Sequence, residues 1–334
     1  MTDSHQNNKP AAAADAWSTY WEKGTLHSCP GAFGANYDDE ISTFWTQFFR
    51  RLPAHARVLD VGTGNGAIAF LARDVSLKTG LEFDIDGIDA AAIQPGHAAA
   101  LAGISAQGVT FRSHVPVEDT GYPDSSFDAV VSQYALEYTD IQSALTEAAR
   151  ILRPGGLLAL LMHHDQSVSA QATQVELAAF DYMADQAPLL GIAHDLVARV
   201  LASGPPPDPM IIMHDPDARV QIDRFGALRN QLFSYADANP GAAFVKDITA
   251  RISGLLQQLP GIGAAPTRDS LHALEKEMNA HRTRLQAMQQ ACHSNHDMSR
   301  FRQRAQACGL FCQSSRELHR SGDLVGWVVI AERT

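Results

Sequence analysis

Three observations predict an α/β fold with a doubly wound, mostly parallel sheet for this 334-residue chain. Short β-prone apolar runs alternate with helical stretches from residue 57 to residue 162. The first of these strands runs straight into a glycine turn, Gly62-Thr63-Gly64-Asn65-Gly66, that opens a helix. A helical block then breaks the rhythm, and strand character returns only near the C-terminal end.

In chain order, residues 1–15 are polar and Ala-rich and are expected to be a disordered tail. Residues 16–56 form an N-terminal helical segment, with Ile41, Phe44, Trp45, Phe48 and Phe49 on one apolar stripe. A glycine- and aromatic-rich loop spans 24–37, and the segment is read as a layer over the core. It can also close over a ligand, with Tyr20, Trp21 and Tyr37 as contact candidates. Strands follow at 57–61, 83–89, 109–114, 127–132 and 157–162, with helices at 67–76, 96–102 and 141–152 between them. Pro154-Gly155-Gly156 makes the turn into the fifth strand. Strands separated by helices of this length pair in parallel, and right-handed crossovers wind helices onto both faces.

From 166 to 296 the pattern is helical, broken at Gly204-Pro205-Pro206-Pro207, Asn239-Pro240-Gly241 and Pro260-Gly261-Ile262-Gly263. One long helix is predicted over 269–291, its Leu271, Leu274, Met278, Leu285 and Met288 near heptad spacing. That stripe packs against neighbouring helices or forms a homodimer seam. Strands at 311–318 and 325–331 complete seven, which makes the helical block an insertion between the fifth and sixth.

Composition narrows the function classes. A net charge of −11 repels a phosphate backbone, so no nucleic-acid partner is expected. No apolar run approaches bilayer length, and the first residues lack a signal-peptide core, so no membrane association and a cytoplasmic location are expected. The four cysteines, Cys29, Cys292, Cys308 and Cys312, are too scattered for a disulfide framework. Cys292 and His296 stand one helical turn apart beside His293. With no second pair to complete a tetrahedral set, no metal is expected.

The glycine turn is built to cradle a nucleotide-like cofactor: small residues bring backbone close to a ligand, and the helix behind it presents free N–H groups. The turn satisfies both G-x-G-x-G and the looser G-x-G-x-x-A of dinucleotide sites. Asp60, two residues before the first glycine, decides against a pyrophosphate because it would meet it with like charge. Asp89 ends the second strand, where a ribose diol would lie.

Four motifs in matching order and spacing then carry a resemblance. They are Val58-Leu59-Asp60-Val61-Gly62-Thr63-Gly64-Asn65-Gly66, Gly87-Ile88-Asp89, Tyr122-Pro123-Asp124-Ser125-Ser126-Phe127-Asp128-Ala129-Val130-Val131, and Ala149-Arg150-Ile151-Leu152-Arg153-Pro154-Gly155-Gly156. The sequence resembles class I S-adenosylmethionine-dependent methyltransferases, in particular the small-molecule branch of the ubiquinone-biosynthesis type. The likeness covers residues 57–162 closely and the last stretch more loosely. It implies a seven-stranded Rossmann-like methyltransferase fold and S-adenosylmethionine as cofactor. The cofactor-binding domain would be 57–165 with 297–334, and 166–296 a helical cap that sets substrate specificity.

By the resemblance, Gly62, Thr63, Gly64 and Gly66 line the methionine and ribose region, Asp60 holds the amino end, and Asp89 with Ala90 meets the ribose. Glu118 or Asp119 matches the acidic residue near the adenine, and Gln133 and Tyr134 sit beside the methionine moiety. The expected Gly-Asp upstream of the adenine segment is replaced by Val115-Pro116, and a proline offers no N–H. His163 and His164, directly after the fifth strand, are the candidate bases or substrate contacts, with Glu137 and Tyr138 after the fourth strand as weaker candidates.

The implied activity is in-line methyl transfer to oxygen or nitrogen of a small, partly apolar molecule, mainly by proximity and desolvation. No Asn/Asp-Pro-Pro-Tyr/Phe motif follows the fourth strand, which argues against exocyclic base amines. Two alternatives stay open: a methyltransferase acting on a peptide or protein, and a non-catalytic protein that binds S-adenosylmethionine.

Overall fold

A computed structural model describes residues 9–28 and 36–334, and the seven expected strands lie in one sheet. The chain runs α1 (Lys9–Trp21), α2 (Glu40–Phe49), β1 (Arg57–Val61), α3 (Ala67–Thr79), β2 (Asp84–Ile88), α4 (Pro95–Leu101), β3 (Thr110–Arg112), β4 (Phe127–Gln133), α5 (Ile141–Ile151) and β5 (Leu152–Met162). Six helices follow: α6 (Val168–Asp185), α7 (Leu189–Ala202), α8 (Ile211–His214), α9 (Pro216–Ala238), α10 (Phe244–Ile262) and α11 (Ala264–Ala291). The chain closes with α12 (Asn295–Ala307), β6 (Leu310–Arg320) and β7 (Asp323–Arg333).

The strand order is β3-β2-β1-β4-β5-β7-β6. β1 to β5 are parallel, and β7 enters antiparallel between β5 and β6. The mostly parallel, seven-stranded α/β architecture predicted from the sequence is therefore the observed one. Its strands are buried on both faces, which is why they read as continuous apolar runs. Val58, Ala129, Val131 and Leu161 pack on one face with Trp45, Phe48 and Phe70. Leu59, Val61, Val130 and Leu160 pack on the other with Leu145 and Phe301. The period-two alternation thus sends neighbouring residues of one strand into two separate cores.

Contacts divide the chain into one unit of residues 1–171 and 286–334 and another of 172–285. The second unit has its own core, in which Ile192, Leu196, Val245, Ile252 and Leu271 are almost fully buried. No helix among the described residues is long and apolar enough to cross a membrane.

Three local expectations change. Lys9 to Asp15, expected within a disordered tail, belong to α1, while residues 1–8 lie outside the described residues. So do 29–35, which include Cys29 and half of the loop expected over 24–37. Pro154-Gly155-Gly156 is a bulge inside β5 rather than a turn before it: pairing jumps from Phe127↔Leu152 to Ala129↔Leu157. The break expected at Pro260 comes at Gly263, whose φ of 88° stops α10.

Candidate functional site

β1 delivers Asp60 to the carboxyl edge of the sheet, and the glycine turn then folds back over it. Gly62, Gly64 and Gly66 have φ of 65°, 53° and 93°, a left-handed region that favours glycine. Close packing demands glycine as well. A Cβ on Gly62 would lie 2.1 Å from the Ala135 methyl, and one on Gly64 would lie 2.5 Å from the Trp21 ring. The sequence reading leaves the turn's backbone bare for a ligand; in the fold, protein side chains cover part of it.

The turn is fastened internally. Thr63 Oγ1 donates to Asp60 Oδ2 at 2.6 Å, and the Ala69 N–H also faces that carboxyl. Burial raises Asp60 to about 7 against these bonds. Gly64 N–H donates to Asp89 Oδ2 and Ala91 N–H to Asp89 Oδ1, both at 2.8 Å. Burial raises Asp89 too, against those two bonds. Asn65, fully buried, donates through Nδ2 to the Trp21 carbonyl at 3.1 Å and the Thr25 carbonyl at 2.7 Å. Its Oδ1 accepts from Gln94 N–H at 2.8 Å. One side chain of the turn thus ties down the end of α1 and the loop that follows it.

Over the carboxyl ends of β1, β2 and β4 lies a cavity of about 640 Å³. Asp60, Gly62, Thr63, Asp89 and Ala90 form its floor, and Val115, Pro116 and Glu118 one side. Gln133, Tyr134, Glu137 and Tyr138 come from the end of β4 and the single 3-10 turn after it. Trp17, Trp21, His27 and Tyr37 supply the wall from the N-terminal segment, and Gln290 and Ala291 the end of α11. Trp17 stacks on Trp21 with centroids 5.7 Å apart and meets Tyr138 edge-on at 6.0 Å. Tyr134 holds a positive φ of 53°, an uncommon conformation for an aromatic residue. Its hydroxyl donates to the Val325 carbonyl at 3.0 Å.

Of the residues singled out in the sequence, Gly64, Gly66, Asp119 and Tyr20 do not line the cavity. Tyr20 instead donates its hydroxyl to the His27 carbonyl at 3.1 Å. The two candidate bases, His163 and His164, do not line the cavity either; both are buried behind aromatic rings. His163 stacks under Tyr134 at 4.4 Å, and its Nε2 lies 3.0 Å from the Tyr138 hydroxyl. Burial, with help from His293, pushes its imidazole down to about 3, so it is neutral. His164 stacks under Trp327 at 4.6 Å, and its Nδ1 accepts from Gln166 N–H.

Glu137, only a weaker candidate in the sequence, is a notable member of the wall. It is 5% exposed, its Oε1 accepts from His163 N–H at 2.8 Å, and its Oε2 has no hydrogen-bond partner. Burial raises its carboxyl to about 8. Sequence reasoning missed Trp17, His27 and the end of α11. Trp17 carried a usable signal, since it stands four residues before Trp21 on one helical face.

Residues 59–160 match the family described as "Methyltransferase domain". This span starts one residue before Asp60 and ends in β5, so it contains the floor of the cavity. Residues 59–160 are thus similar to a methyltransferase domain. The domain is similar to fatty-acid O-methyltransferase of Mycolicibacterium smegmatis, at 34% identity over 35% of this chain and 43% of that protein. It is also similar to 27-O-demethylrifamycin SV methyltransferase of Amycolatopsis mediterranei, at 29% identity over 45% of this chain and 54% of that one. The chain spans about half the length of these curated relatives. A solved structure of geranyl diphosphate methyltransferase with GPP and sinefungin is 13% identical, with TM-score 0.41 over 88% of this chain and 77% of that one.

Proposed function

We propose that the chain transfers a methyl group from S-adenosylmethionine to oxygen or nitrogen of a small, partly apolar molecule. The observation that carries this reading is the cavity at the carboxyl ends of β1, β2 and β4, where Asp60, Asp89 and the glycine turn meet an aromatic wall. Its volume lies within the roughly 300–1,000 Å³ usual for small-molecule sites.

The residues present fit this cofactor. Two carboxyl groups suit a cationic ligand that carries an amino group and a ribose diol, and they oppose the pyrophosphate of a dinucleotide. Aromatic faces of Trp17 and Trp21 suit a positive charge nearby. Asp60 and Thr63 are assigned to the amino end, Asp89 and Ala90 to the ribose, and Val115 to Glu118 to the adenine side. Pro116 adds surface there but no N–H. Gln133 and Tyr134 are assigned to the methionine region.

When bound, the cofactor supplies a methyl group already activated on a sulfonium. What remains for the protein is alignment of the acceptor and exclusion of water. The aromatic wall excludes water, and Glu137 and Tyr138 offer polar atoms within it. His163 Nε2, 3.0 Å from the Tyr138 hydroxyl, orients that phenol. Its low proton affinity argues for a positioning role rather than for a base. We assign acceptor choice to this wall.

Release of S-adenosylhomocysteine on incubation with a panel of phenols, alcohols and amines tests the proposal. Turnover with at least one small acceptor is expected. Cofactor binding without turnover, or turnover only with peptides, would favour one of the two alternative readings.

A further inference from the structure

β4 carries a polar residue on an otherwise apolar row. Ala129 and Val131 lie in the core formed with Trp45, Phe48 and Phe70. Period-two alternation makes Gln133, the last residue of β4, the next member of their row. Trp45 of α2, 0% exposed and stacked on Phe49 at 5.8 Å, meets it there. Its indole Nε1 donates to Gln133 Oε1 at 2.5 Å. An indole N–H can only donate, so this contact fixes which arm of the planar amide is the oxygen. Gln133 also lines the cavity, and the arm left for a ligand is Nε2, which donates and cannot accept.

The cavity offers an anion little else. Asp60, Asp89, Glu118, Glu137 and Asp140 line it, whereas no lysine or arginine does among the described residues. In the glycine turn, the N–H groups of Thr63, Gly64 and Gly66 already donate to Ile88, Asp89 and Thr63, and the Thr63 hydroxyl donates to Asp60. Of the two side-chain amides on the wall, Gln290 is exposed and Gln133 is partly buried. S-adenosylmethionine carries a carboxylate on the same carbon as its amino group, and a carboxylate among acids needs a donor. β1 and β4 are neighbours with Asp60 opposite Val131. Gln133 therefore stands two residues, about 7 Å, beyond Asp60 on the same face of the sheet, within reach of a head group whose amino end is at Asp60.

We infer that Trp45 is a positioning residue for the cofactor: its indole N–H holds the Gln133 amide with the oxygen inward, so that Nε2 donates to the carboxylate of S-adenosylmethionine. The inference rests on the cavity being the cofactor site. It gives α2, which does not line the cavity, a part in cofactor capture through one hydrogen bond. With that bond removed, the amide can turn its oxygen toward the carboxylate and oppose it.

The test uses two probes that differ by the carboxylate alone: S-adenosylmethionine and decarboxylated S-adenosylmethionine, which keeps the sulfonium and the amino group. Each is titrated by calorimetry into the full chain and into two variants. Gln133→Glu keeps an acceptor for Trp45 but replaces the donor arm with a second acceptor. It should weaken S-adenosylmethionine by about tenfold and leave the decarboxylated probe within about threefold. Trp45→Phe keeps an aromatic ring in the stack but has no N–H. It should weaken S-adenosylmethionine by about fivefold and the decarboxylated probe by less than about twofold. A Trp45 that only supports the core would weaken both probes alike in Trp45→Phe, and that result would overturn the inference. So would an unchanged S-adenosylmethionine affinity in Gln133→Glu, an arm that stands even if Trp45→Phe does not fold. An unmodified protein that binds neither probe would instead overturn the cofactor reading itself, and the inference with it.

Discussion

At the scale of single residues, Asn65 and Glu137 show opposite ways of burying a polar group. Asn65 satisfies two donors and an acceptor on carbonyls and an N–H from three separate segments. Asn65→Ala leaves those groups unpaired, and a loss of about 3 kcal/mol in denaturant unfolding is expected. Glu137 leaves one oxygen unpaired, and this has a pH signature. Its folded value of about 8 lies above the ordinary 4.5. Ionisation therefore costs more in the folded state, and its contribution to stability falls as pH rises from about 4.5 to about 8, then stays flat. His163 works the other way: its contribution falls as pH drops from the ordinary 6.5 to about 3. Thermal melts of Glu137→Gln against the unmodified protein check the first slope. The variant should gain stability relative to the parent between about pH 6 and pH 8 by a few kcal/mol at most. A parallel pair of curves would mean that Glu137 titrates as an ordinary surface carboxyl. The strand-end positions of Asp60 and Asp89 and the left-handed glycines of the turn were legible in the sequence because turn chemistry and strand ends are local. The orphaned Oε2 of Glu137 was not, since it depends on which segments cover the 3-10 turn after β4.

At the scale of elements, the parallel strands were readable to within a few residues because burial on both faces makes them continuous apolar runs. The bulge in β5 was not: Gly155, with φ of 78°, supports either a turn or a kinked strand, and only pairing with β4 decides. α1 was misjudged at its start, because an Ala-rich run has high helix propensity but the apolar periodicity that reveals a buried face appears only further along. That helix matters to the cavity through its aromatic face. Trp17 stacks on Trp21, and Trp21 lies against Gly64. Trp17→Ala should weaken S-adenosylmethionine binding by roughly tenfold while leaving the unfolding midpoint nearly unchanged, as calorimetry and denaturant titration would show. An unaltered affinity would remove α1 from the ligand-binding wall. The two histidines illustrate the limit of placement by strand end. Both follow β5 where ligands gather in open α/β sheets, yet aromatic rings contributed from β4 and β7 cover them.

At the scale of the whole molecule, a chain of net charge −11 matches a methyltransferase domain over residues 59–160 and has a cavity whose described charged lining is acidic. Two cores serve the sheet, and a third belongs to the helical unit of residues 172–285. The succession of strands along the chain and the place of the inserted helices were readable from the alternation of patterns, but the entry of β7 between β5 and β6 was not. The role of the inserted segment was not either, because its apolar and Met-rich stretches read equally well as helix packing. The central claim concerns the donor, and one titration meets it directly: calorimetry of the purified chain with S-adenosylmethionine and, separately, with NAD. Saturable S-adenosylmethionine binding in the micromolar range and no detectable heat with NAD are expected. Binding of NAD in place of S-adenosylmethionine would contradict it.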